Sequence, residues 1–377
     1  MIIDIVLGAI VLISAIISFL RGFIREVLTI AGVAGGFFAA IVPGIYKATG
    51  INVLITGFLI ASAIFVASYI AQNPLAHFER IMKGWSVAAV YAALSGILGY
   101  FNLAGPFSKY LLVFDRAKGT FEDPNVFGPF LIAPLLYAIY KLLRGRVQSY
   151  IWALPQIMLL SLALLLAFSR GAWGHALFSG IVFGYFLVVT ARNMQERFQI
   201  FLFGIVGFFL IAVLGIWAIS FDKVGNLFAD RAAVVQSYDS GPSGRFARQL
   251  DALELILENP AGIGAAEFEK IFPEQPHNVY INAFVISGWL GGTVYLFVVL
   301  WTIAIGFKQA LVRVPWQNLY VLIYATYLGV ALEGFIIDTD HWRHYFILMG
   351  LVWAGAVSAG GVLTKRRLAQ PIQANYN

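Results

Sequence analysis

The chain contains no cysteine in 377 residues. Disulfides, thiolate metal sites and a cysteine nucleophile are thereby excluded. Charge is scarce too, at 12% of residues, about half the ~25% of soluble domains. The surplus of 25 basic over 19 acidic residues gives +6. No Lys/Arg stripe with interleaved aromatics accompanies it, so nucleic acid is excluded as a partner and the surplus reads as basic loops. The first apolar run, Met1 to Leu20, has no basic leader and no small-residue cleavage site, so it reads as a retained helix. No G-x-S-x-G or S-x-x-K nucleophile occurs. Gly262-Ile263-Gly264 is too short for a nucleotide-binding fingerprint. No internal repeat is present.

What the chain has instead is apolar length. Hydrophobic residues make up 60% and the mean hydropathy is +0.83, the composition of an all-α polytopic membrane protein. With about 20 apolar residues per span, eleven helices are expected, near 2–20, 27–45, 51–72, 86–105, 126–141, 149–168, 173–191, 198–220, 279–306, 317–336 and 343–363. The basic connections alternate with the others: Arg21/Arg25, Arg80/Lys83, Lys141/Arg144/Arg146, Arg192/Arg197, Lys308/Arg313 and Lys365–Arg367. By the positive-inside rule these are cytoplasmic, with the N-terminus outside and the C-terminus inside. The outer side then receives 46–50, 106–125, 169–172, 221–276 and 337–342. This divides the chain into an N-terminal membrane segment 1–50, a bundle 51–220, a large outer loop 221–276, C-terminal helices 277–364 and a short tail 365–377.

The outer loop holds nine of the 19 acidic residues. Within it, Ser243 is a plausible N-cap for a helix running to about Glu258 and stopping before Pro260. Phe246, Leu250, Leu253 and Leu257 recur at helical spacing, so one face suits the membrane or the bundle. Arg245 and Arg248 fall in the first turn, where cations oppose the helix dipole. They read either as an anion site beside free backbone N–H groups or as surface arginines paired with Asp239 or Asp251. The loop ends at His277-Asn278, where the next apolar run begins. An imidazole there is a competent general base at the interface or a satisfied polar residue.

Three other outer segments carry polar groups. Ser169-Arg170-Gly171-Ala172 sets an arginine between two apolar runs, where it requires an anionic partner. Arg116 to Asn125 is turn-rich. Glu333 lies inside the tenth expected helix, where a carboxylate is a functional candidate; its structural role would be to pair Arg170 or Arg343, and that role is favoured. Asp338, Asp340, His341 and His344 match no familiar metal-ligand spacing. His77 and His175 read as packing or interfacial histidines.

These residues together resemble the O-antigen ligase family, whose superfamily includes O-antigen polymerases and bacterial protein O-oligosaccharyltransferases. His277-Asn278, nine residues, then Gly288-Trp289-Leu290-Gly291 is similar to the ligase pattern of histidine, amide, nine residues and Gly-x-x-Gly. Around it stand Asn259-Pro260-Ala261-Gly262-Ile263-Gly264, Tyr238-Asp239, Gly244-Arg245-Phe246, Ser169-Arg170-Gly171-Ala172 and Gly119-Thr120-Phe121-Glu122-Asp123-Pro124-Asn125. The likeness covers roughly 85–363. The first 45 residues, with Ser18-Phe19-Leu20-Arg21-Gly22-Phe23, instead resemble the start of the colicin V production protein family.

The ligase resemblance implies a GT-C-like glycosyltransferase of the bacterial inner membrane. Its donor would be a glycan on undecaprenyl pyrophosphate, its acceptor a hydroxyl of lipid A–core, and its site would face the periplasm. It implies no metal and no cofactor. The expected catalytic residues are His277, Arg245 and Arg170; Arg116, Arg248, Asn278, Tyr280 and Arg343 are expected to bind substrate. Arginine suits pyrophosphate because its planar fork stays charged and binds phosphate bidentately. Polymerase and protein O-glycosyltransferase readings share this chemistry. A transporter or scaffold is the alternative of another class, although transporters place polar groups near the bilayer midplane.

Overall fold

The computed structural model describes residues 47–144, 147–232, 244–272 and 274–369. The two earliest expected spans, the colicin V-like segment, Tyr238-Asp239 and Ser243 lie outside the described residues. The rest is an all-α polytopic membrane protein. Seven of its helices are long and apolar enough to cross a membrane.

The apolar runs fold where expected. Helices α1 (Lys47–Gln72), α2 (Pro74–Tyr100), α3 (Pro124–Arg144), α4 (Val147–Leu166), α5 (Arg170–Thr190) and α6 (Met194–Ile219) come first. Three short helices follow in the polar stretch: α7 (Asp222–Ala232), α8 (Arg245–Glu258) and α9 (Phe268–Ile271). The chain then forms α10 (Val279–Ala310), α11 (Gln317–Glu333) and α12 (Arg343–Ala369). Between α2 and α3, a 3-10 turn at Gly105–Leu111 leads into a two-residue antiparallel ladder, β1 (Leu112–Val113) with β2 (Arg116–Ala117).

Helix α2 differs from expectation. It begins at Pro74, one residue after α1, rather than near 86, so Arg80 and Lys83 lie in the helix and not in a loop. Proline is well placed at a first helical position because it lacks the N–H that would be unpaired there. Glu79 makes the charged turn tolerable: its carboxylate accepts from Lys141 Nζ at 2.7 Å and from the Tyr137 hydroxyl at 3.0 Å. Arg144 and Glu196 form a second ion pair at that same end of the bundle. The tail differs as well, since α12 runs on to Ala369 and takes in Lys365–Arg367.

Helix α11 is the centre of the core. Every residue from Leu319 to Ala325 is buried, in a helix packed among α2, α3, α5, α10 and α12. A second cluster joins α2, α3 and α4 to α7, whose Phe228 ring lies 5.5 Å from Trp173 of α5.

Helix α10 is not the single rod that 279–306 led one to expect. Gly288 breaks it, with φ 67° and ψ −168°. Tyr280 and Tyr295 would stand ~22 Å apart along a straight helix at 1.5 Å per residue, yet their ring centroids are 6.1 Å apart. A Cβ on Gly292 would come within 2.3 Å of the Phe284 ring. The stretch before Gly288 therefore folds back against the stretch after it.

Candidate active site

The break at Gly288 is also where the long polar stretch is anchored. Ile263 N–H donates to Val285 O at 2.8 Å, Gly264 N–H to Ile286 O at 3.2 Å, and Trp289 N–H to Pro260 O at 2.9 Å. A broken helix frees backbone groups that must be paired elsewhere, and the 259–264 loop pairs them. The approach requires glycine on both sides. Gly262 has φ 80°, and a Cβ there would lie 2.5 Å from Gly288 N. The backbone of Asn259–Gly264 thus explains a motif that has no nucleotide-binding meaning.

Upstream of that loop, α8 spans Arg245–Glu258 as expected, but Gly244 stands at its N-cap without a side-chain cap bond. Arg245 is its first residue and is half-buried. Arg248 pairs with Asp251 at 2.8 Å and lies over the Phe272 ring at 4.9 Å. Ala252, Leu255 and Ile256 pack with Phe268 and Val285, which seats α8 on the folded-back half of α10.

His277 sits just before that half of α10. Its backbone is left-handed, φ 46°, a conformation uncommon outside glycine but enriched for histidine. Asn278 creates the turn: its Oδ1 accepts from Tyr280 N–H and Ile281 N–H and caps α10. The Asn278 side chain, expected to bind substrate, thus shapes the turn that presents the imidazole. Tyr280 similarly donates its hydroxyl to Ala331 O and packs its ring on Phe335, so it joins α10 to α11.

The residue facing His277 is Asp338, in the turn between α11 and α12. Its Oδ2 lies 3.5 Å from His277 Nδ1, longer than a direct hydrogen bond but close enough for charge pairing. The imidazole is 37% exposed and the carboxylate 13%. Nε2 lies on the opposite edge of the ring from the Nδ1 that faces Asp338. This partnership is invisible in the sequence, where Asp338 belongs to an Asp-x-Asp-His cluster 61 residues on. That cluster disperses: Asp340 bonds His341 at 3.2 Å, while His344 is buried beside Trp342, Trp85 and Phe130.

Arg170 reaches the same end of the bundle by another route. Ser169 caps α5 by accepting from Ala172 N–H, and Arg170 is the first helical residue. A Cβ on Gly171 would stand 2.8 Å from Glu333 Oε1, so α5 begins against the end of α11. One residue beyond Glu333, Gly334 O accepts from Val279 N–H at 2.8 Å, two residues after His277. Arg170 and His277 therefore converge on the end of α11.

The partner of Glu333 differs from expectation. Its Oε2 lies 2.9 Å from His175 Nδ1 with both side chains buried, and His175 Nε2 donates to Thr326 O at 3.0 Å. Since Nε2 must carry hydrogen for that carbonyl, one further proton is shared between Nδ1 and the carboxylate. The pair is neutral in sum and locks α5 to α11, which is the structural role foreseen for Glu333 with another residue in it. Arg116 is also held within the fold: Nε donates to Ala167 O at 2.9 Å and Nη2 to Asn125 Oδ1 at 2.8 Å, and the residue is buried. Arg343 opens α12 and is exposed.

A family model described as O-antigen ligase matches residues 156–296. The matched stretch holds Arg170, α8, His277-Asn278 and the Gly288 break, but not Arg116, Glu333 or Asp338. No curated protein matches the chain. The match supports a ligase- or polymerase-type glycosyltransferase that acts on glycans in a membrane.

Proposed function

We propose that this protein moves a glycan from undecaprenyl pyrophosphate to a hydroxyl of lipid A–core, at the periplasmic face of the bacterial inner membrane. The observation that carries the reading is the His277–Asp338 pair, at the end of the bundle where Arg170 also begins its helix. The positive-inside orientation supports a periplasmic placement, because the basic connections gather at the opposite end.

In this mechanism the acceptor hydroxyl gives its proton to His277 Nε2 as its oxygen attacks the anomeric carbon. The bond from that carbon to the pyrophosphate oxygen breaks on the opposite face, so the product is inverted. Undecaprenyl pyrophosphate leaves with the electron pair, and the charge growing on its terminal phosphate is met by arginine. Arg245 and Arg170 are assigned to that task, with Arg248 beside Arg245 on α8. Such stabilisation is strongest in a site partly shielded from water. Asp338 selects the imidazole tautomer and steadies the cation that forms.

The test uses purified full-length protein, labelled lipid-linked donor, and lipid A–core, a second lipid-linked repeat or a protein acceptor supplied in turn. Labelled lipid A–core is the expected product. His277→Ala is expected to lose at least ~100-fold in rate, the low end of general-base effects, while inserting normally. Transfer at the wild-type rate in His277→Ala would remove the base assignment. Product only with the second repeat or the protein would move the assignment to a polymerase or a protein glycosyltransferase. Solute movement without covalent product would replace an enzyme with a transporter.

A further inference from the structure

Helix α8 has more apolar surface than its packing uses. Ala252, Leu255 and Ile256 face the core, yet Phe246, Leu250, Leu253 and Leu257 are 54%, 68%, 47% and 71% exposed. At 100° per residue these four fall within an arc of roughly 60°. Glu254, Glu258 and Asp251 occupy the next sector on one side. The buried residues lie on the other side and behind. The helix thus has three sectors, one for protein, one acidic and one purely apolar. A surface helix between bundle and water needs only two.

The apolar sector also leads into another surface. The Trp289 indole donates to Ile256 O at 3.0 Å, tying α8 to the start of the second half of α10. From there Trp289, Leu290, Val294, Phe297 and Trp301 are all exposed along a helix apolar enough to cross a membrane. A span's exposed apolar row faces lipid, and that hydrogen bond ties α8, at the residue before Leu257 of the stripe, to the head of the row.

We infer that α8 is an interfacial helix, with Phe246, Leu250, Leu253 and Leu257 inserted in the lipid leaflet on the His277 side and its acidic sector in water. Helices of this kind lie in the plane of the interface with their apolar face at the boundary between headgroups and acyl chains. The arrangement fixes Arg245 and Arg248 at the depth of lipid phosphates, whichever glycan is transferred. The inference stands apart from the transfer reading, since it concerns where α8 lies.

The absence of cysteine makes the test direct. Leu250→Cys, Leu253→Cys, Glu254→Cys and Glu258→Cys are each spin-labelled in the full chain and reconstituted in vesicles of phosphatidylethanolamine and phosphatidylglycerol. Collisions with oxygen, which concentrates in lipid, are compared with those of a water-soluble nickel chelate. Labels at 250 and 253 are expected to favour oxygen several-fold, and labels at 254 and 258 to favour nickel. Equal nickel access at all four positions would place the stripe in water and overturn the inference. Protection of 250 and 253 from both reagents would overturn it in favour of a protein cover, either a second copy or residues 1–46. Spin–spin broadening at 250 would identify the second copy. Leu250→Ser and Leu253→Ser together, read through a label on 257, are expected to raise nickel access there. Unchanged nickel access there would also count against the inference.

Discussion

Replacing Gly288 by alanine tests whether the break in α10 holds the two parts of the site together. The backbone at φ 67° and ψ −168° lies in a region open almost only to glycine, and a side chain there costs ~1–3 kcal/mol. The added methyl would meet Pro260 O at 2.3 Å, Ala261 C at 2.5 Å and Gly262 N at 2.7 Å. All three are backbone atoms, so no side chain can rotate away. Relief requires the 259–264 loop to withdraw, which forfeits its hydrogen bonds to Val285 O and Ile286 O and the one from Trp289 N–H. At ~0.5–1.5 kcal/mol each, the total falls on the order of 3–6 kcal/mol. With ~1.4 kcal/mol per decade, opening of the junction should rise at least ~100-fold. Hydrogen exchange of the full-length protein in a bilayer mimetic reads this directly. Peptides covering 259–264 and 285–290 should exchange faster by that factor, and peptides from the buried 319–325 stretch of α11 should not change. Gly262→Ala should give the same pattern. Wild-type protection of both peptides in Gly288→Ala would refute the argument that the two glycines seat α8 on α10.

Two further outcomes follow from the buried polar groups. Glu333→Ala leaves the His175 imidazole facing an empty, dry site, and removing one partner of a buried pair costs ~3–5 kcal/mol. Its thermal midpoint should drop sharply, with Glu333→Gln retaining much of the loss, and an unchanged midpoint would remove the lock between α5 and α11. Arg116→Ala should also lower thermal stability, by ~2–4 kcal/mol, because it strands Ala167 O and Asn125 Oδ1. Arg116→Lys should not restore it, since a single ammonium cannot reproduce the fork. A loss of donor binding in Arg116→Ala at unchanged stability would return Arg116 to the substrate site.

Much of the architecture followed from one-dimensional chemistry. The apolar runs from residue 51 onward met helices because a span must satisfy its backbone internally and present about 20 apolar residues to lipid. Helix α8 ended before Pro260, as the stop signal demanded. His277 and Asn278 stood out because a polar pair at the head of an apolar run is conspicuous. Arg80 and Lys83 read as a basic connection and concealed the start of α2, where Glu79 meets Lys141, Tyr137 and Lys83 within the helix bundle.

By itself, then, the sequence determined the helical class, most helix positions and the end of the bundle where polar chemistry gathers, because each depends on local composition and period. Tertiary structure alone decided which charges meet. Asp338 faces His277 across 61 residues, Glu333 takes His175 rather than an arginine, and Arg116 turns inward to Ala167 and Asn125. It also decided that α10 doubles back at Gly288, since a glycine inside an apolar run reads equally as packing or as a reversal until another segment's backbone is seen against it. Pairing and reversal are contacts between distant parts of the chain, and spacing along the chain does not encode the distance between them.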